Sequence, residues 1–79
     1  MFNIKNITYD PLTQQYRCTC QCGTAMEAKE IAVGFLPSVK MRFGFTTELI
    51  SQGNTVILAA SDQETIETAA KLLNNSIYR

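Results

Sequence analysis

The run Cys18-Thr19-Cys20-Gln21-Cys22-Gly23-Thr24-Ala25-Met26-Glu27 changes from one backbone period to another and so decides the fold. Cys18, Cys20 and Cys22 alternate with Thr19 and Gln21, the period-two pattern of a strand with one apolar face. Gly23 ends it. Thr24 and Glu27 then stand at capping-box spacing: the hydroxyl serves a backbone N–H one turn in, and the carboxylate reaches back to the Thr24 N–H. The same strand-to-helix junction recurs later in the chain. Thr55-Val56-Ile57-Leu58-Ala59-Ala60 is the most apolar strand candidate, and Ser61-Asp62-Gln63-Glu64 follows it as a second capping box.

Working outward, residues 2–9 read as a first strand, carried by Ile4, Ile7, Thr8 and Tyr9. Asp10-Pro11 punctuates it, and a turn through Leu12, Thr13 and Gln14 leads into a second strand over 15–22. The first helix is expected over 24–33, with Ala28, Ile31, Ala32 and Phe35 as its buried stripe and Ala25 and Ala28 permitting close approach to a sheet. Gly34 supplies a stop signal and Pro37 lies just beyond. Residues 38–45 alternate: Val39, Met41, Phe43 and Phe45 on a core face, Lys40, Arg42 and Gly44 on the other. That strand is read on through Ile50 to a turn at 51–54. The last helix shows Ile66, Ala69, Ala70, Leu73 and Ile77 on one face.

The order is therefore β-β-α-β-β-α. The expected fold is α+β: one compact domain over 1–79, with a four-stranded, mostly antiparallel sheet and two helices packed on one face. The open face is then solvated or covered by a partner.

Composition narrows the function classes. Seven Lys and Arg balance seven Asp and Glu, and there is no histidine. Without a positive excess, binding to the nucleic-acid backbone is not favoured. Without histidine, the commonest neutral-pH acid–base group and metal ligand is missing. Triads that need histidine cannot form within one chain, and no glycine-rich phosphate loop is present. No stretch approaches the roughly 20 apolar residues of a membrane span, and no export signal opens the chain. Three cysteines is an odd number for a secreted disulfide scaffold, so a reducing, cytoplasmic compartment is expected.

The cysteines admit two readings. As small apolar residues on one strand face, Cys18, Cys20 and Cys22 pack under the helices. Alternatively they form a thiol-based metal or redox module. Residues two apart on a strand lie about 7 Å from each other, which does not converge three sulfurs on one ion. A metal would then need Asp10, Glu27, water or cysteines from a second copy to complete its site. Cys22, just before the capped helix, is the best candidate for a stabilised thiolate.

Taken together, the sequence points to a small non-enzymatic protein–protein interaction module, an adaptor or inhibitor acting by occlusion or by stabilising a partner. No cofactor is expected. Tyr9, Tyr16, Arg17, Lys40, Arg42 and Tyr78 are the candidate partner-binding residues, since buried aromatic and Arg anchors dominate interfaces. Homodimerisation through the open sheet face or an edge is the companion expectation. The interleaved charges and rings of Lys40-Met41-Arg42-Phe43-Gly44-Phe45 leave weak single-stranded nucleic-acid binding as a third alternative.

Overall fold

In the computed structural model, which describes residues 1–77, the chain follows the expected element order. The strands are β1 (Thr8–Asp10), β2 (Gln15–Gln21), β3 (Glu48–Gln52) and β4 (Thr55–Ala60); the helices are α1 (Ala25–Phe43) and α2 (Gln63–Ile77). The sheet order is β1-β2-β4-β3, and every neighbouring pair is antiparallel. α1 carries the chain across β4, so that β3 lands on its far side. This places β2 and β4 in the middle and leaves β1 and β3 as edges.

One sheet face carries Cys18, Cys20, Leu49, Val56, Leu58 and Ala60, all buried. Ala28, Ile31, Ala32 and Val39 of α1 and Ile66, Ala69, Ala70 and Leu73 of α2 close over them. Alanines recur where the helices meet the sheet, and they let backbone approach backbone. Ala25 is exposed and takes no part in this.

The largest departure from the expected elements is α1. It runs straight through Gly34 and Pro37 to Phe43, so residues 38–43 are its second half and not a strand. A glycine and a proline inside a helix cost about 1 and about 3 kcal/mol. Against this, the inward stripe Ala28, Ile31, Ala32 and Phe35 continues at helical spacing through Val39 and Phe43. Val39 is buried, and Phe35, Leu36 and Phe43 pack partly against the core. Burying a large aliphatic or aromatic side chain contributes about 1.5–3 kcal/mol, so these four together outweigh the two breakers. The helix leaves Met41 (84% exposed) and Phe45 (81% exposed) outside the core, where the strand reading had placed them.

α1 ends at Gly44, whose φ of 104° is a conformation that L side chains rarely adopt. Its N–H donates to the Lys40 carbonyl. Thr47, buried in the loop, donates its hydroxyl to the Phe43 carbonyl at 3.1 Å, so its polar atom is satisfied.

The amino-terminal strand is also shorter than expected. Ile4–Asn6 forms a 3₁₀ turn, and only Thr8–Asp10 pairs as a strand. Phe2 makes an isolated bridge to Cys20 and is buried. Asn74 of α2 holds it on both backbone groups: Phe2 N–H donates to Asn74 Oδ1 at 2.7 Å, and Asn74 Nδ2 donates to the Phe2 carbonyl at 3.1 Å. At the other helix start, Asp62 takes the capping role in place of Ser61. Its Oδ1 accepts from the Thr65 N–H at 2.9 Å and its Oδ2 from the Thr65 hydroxyl at 2.7 Å.

Candidate functional site

All three cysteines are buried beneath the helices, and none forms a disulfide. Cys18 donates its thiol to the Asn3 carbonyl at 3.4 Å. Burial, with Cys20 nearby, pushes its pKa up to about 11. Cys22 also moves up, first through burial and then through Cys20 and Glu27. That direction runs against the expected stabilisation of its thiolate by the α1 N-terminus, because burial outweighs the helix dipole. Among the described residues no three His, Cys, Asp or Glu side chains converge as metal ligands. A covered thiol is a poor nucleophile and a poor ligand, and all three cysteines belong to the hydrophobic core.

Of the five candidate partner-binding residues among the described residues, only the two tyrosines of β1 and β2 come together. Tyr9 and Tyr16 pair across the strands with ring centroids 4.9 Å apart and tilted by 56°, on the helix-covered side of the sheet. Arg17 lies on the opposite, open face and pairs with Asp10 at 3.3 Å. That Asp10 carboxyl is held below the usual range, first by the Leu12 N–H and then by the Thr13 hydroxyl and Arg17. Lys40 and Arg42 sit on the last turn of α1, not on a strand. Lys40 donates to the Phe45 carbonyl and to Glu48, each at 3.0 Å. Arg42 is exposed. Tyr78 lies outside the described residues.

The surface that the sequence reading missed flanks β3. Met26, Val33, Pro37 and Met41 follow one another at helical spacing on the solvent side of α1, and all are exposed. Where that side overhangs the sheet, Lys29, Ala32, Val33 and Leu36 of α1 and Leu49, Ile50 and Ser51 of β3 line an open groove of about 300 Å³. Val33 is 66% exposed and Ile50 50%. The wall is mostly apolar, with Lys29 as its charged rim. Among the described residues β3 pairs only with β4, so its outer backbone groups have no strand partner there. The other edge differs: β1 has three residues and is followed directly by Pro11, two ways of closing an edge to further pairing. The signal for this groove was the helical spacing of Lys29, Ala32, Val33 and Leu36, which is cut short once Gly34 is taken as a helix end.

No protein-family model, curated protein or solved structure matches the chain. No helix among the described residues is long and apolar enough to cross a membrane.

Proposed function

We propose that this protein is a cytoplasmic, non-enzymatic interaction module that captures an extended, largely apolar segment of another protein at the β3 edge. The observation that supports it is the coincidence of an unpaired strand edge with an apolar groove directly above it. Strand addition uses both. Main-chain hydrogen bonds to β3 supply affinity, and alternate side chains of the added strand enter the groove between Val33, Leu36 and Ile50. Lys29 at the rim adds a preference for an acidic residue in the bound segment. Acting this way, the module inhibits or stabilises a partner by covering one of its segments. A thiol or metal function finds no support in the buried cysteines.

The test is selection of a displayed library of random ten-residue peptides on the full chain. Enriched peptides are expected to alternate apolar and polar residues. They should bind V33E at least about tenfold more weakly and shift the amide resonances of residues 48–52. Lack of enrichment, or winners that bind V33E as well as the parent chain, overturns the reading.

A further inference from the structure

The open face of the sheet carries an ordered charge pattern. Following the register outward from β4, one row across this face is Thr8, Arg17, Ala59 and Glu48, from β1, β2, β4 and β3. Arg17 and Glu48 flank the small Ala59 from opposite sides. Each also has an intrachain partner: Asp10 of β1, one row away beside Gln15, for Arg17, and Lys40 of α1 for Glu48. Along the row itself the order is neutral, positive, neutral, negative. Reflection through β4 exchanges the positive Arg17 with the negative Glu48. The next row, Thr19, Ile57 and Ile50, supplies β-branched side chains at the centre of the face.

A surface with this antisymmetry is complementary to itself. We propose that the open sheet face binds a second copy of this chain, about a two-fold axis lying along β4. That axis brings β2 over β3 of the copy. Arg17 then faces Glu48 of the second chain, and Glu48 faces Arg17 of the second chain. Ala59 and Ile57 lie on the axis, and Thr19 meets Ile50. Two sheets stacked in this way pack about 10 Å apart with strands nearly aligned. The alternative two-fold, running across the strands through Ile57, sets Arg17 opposite Gln21 and pairs no ions. The charges therefore select one arrangement. Ion pairs at such a face fix register and exclude wrong pairings more than they add affinity, while the central isoleucines supply apolar burial. Apart from Ile50 at the β3 edge, which borders both, this surface lies on the far side of the sheet from the groove, so self-association and segment capture are tested separately through Arg17 and Val33.

The test is sedimentation equilibrium of the full chain at low salt, from about 1 to about 300 μM, with circular dichroism to confirm folding of each variant. The parent is expected to dimerise, and R17E and E48R each to raise the dimer dissociation constant about tenfold or more. The double variant R17E/E48R is expected to return to within about threefold of the parent, because the reversed charges again face each other between chains. The same double variant leaves both intrachain ion pairs broken, so recovery cannot come from restored monomer stability. A parent that stays monomeric across the range overturns the proposal. So does an unchanged dimer in R17E, or a double variant weaker than either single one. Peptide binding in the R17E chain is expected to equal that of the parent, which keeps this result apart from the fate of the β3 groove.

Discussion

α1 and α2 begin alike and continue differently. Each follows a strand and is capped by a side-chain oxygen one turn before its first free amide: Thr24 Oγ1 accepts from the Glu27 N–H, and Asp62 Oδ1 from the Thr65 N–H. Beyond the caps, α2 divides cleanly. Its buried residues Ile66, Ala69, Ala70 and Leu73 lie on one side and polar residues on the other. α1 buries Ala28, Ile31, Ala32 and Val39, yet also presents Met26, Val33 and Met41 to solvent and contains both helix breakers. A helix that serves only the core needs one apolar side. The second apolar side of α1 adds nothing to the core, which is why the functional proposal is placed there.

The contrast breaks most visibly in the core. Ile66→Ala is expected to cost about 2–5 kcal/mol of stability, measured by urea unfolding, since Ile66 is fully buried on the inner side of α2. Val33→Glu on the exposed side of α1 is expected to stay within about 0.5 kcal/mol while abolishing segment capture. A comparable loss of stability in both variants would erase the distinction between the two sides of α1.

The caps come next. Thr24→Ala is expected to cost about 1 kcal/mol, and Asp62→Ala to destabilise in the same direction. They differ in pH dependence. The hydroxyl and N–H of Thr65 hold the Asp62 carboxyl below the usual range. A depressed folded pKa gives stability that is present above the unfolded value near pH 4 and is lost as pH falls through the folded value. Thr24 carries no such titration. Unfolding followed from pH 6 to pH 2 should therefore show part of the acid loss disappearing in D62N and none of it in T24A.

Smaller still is the expected gain from Gly34→Ala. A Cβ at Gly34 meets nothing within 4 Å, and its φ is not in the positive region. The substitution should stabilise the chain by about 0.5–1 kcal/mol, read as a raised urea midpoint. A loss instead would mean that the helix needs its weak point.

The last test concerns β2, which packs under α2. Burial raises the Cys18 pKa from 9.0 to about 11. A raised folded pKa gives stability that is complete below the unfolded value and is lost as pH rises from there toward the folded one. The parent should weaken between about pH 9 and pH 11 more steeply than C18A, in thermal melts across that range.

Much of this architecture was legible in the residues themselves. The alternation in Cys18-Thr19-Cys20 placed β2, the apolar run Thr55–Ala60 placed β4, and Ile66, Ala69, Ala70 and Leu73 placed the buried side of α2. The failure at residues 38–45 is instructive because Val39, Met41, Phe43 and Phe45 satisfy the period of a strand, while Phe35, Val39 and Phe43 satisfy that of a helix. Local signals at Gly34 and Pro37 favoured ending the helix, and long-range burial decided otherwise. The site suffered for the same reason. Val33 and Ile50 become neighbours of one groove only after α1 has been laid over β3, a relation between distant segments that neither period contains.

The amide of Asn74 that grips Phe2 has a kinetic consequence. Its two hydrogen bonds join residues 72 positions apart, and a contact closing so long a loop gains nothing until most of the intervening chain is already in place. The hairpins and helices form from nearer neighbours, so this clasp belongs to the final stage of folding and the first stage of unfolding. Its contribution falls mainly on how slowly the native chain comes apart and hardly on how fast it assembles. A single side-chain amide thus sets part of the lifetime of the folded molecule, without guiding the route by which that molecule is reached.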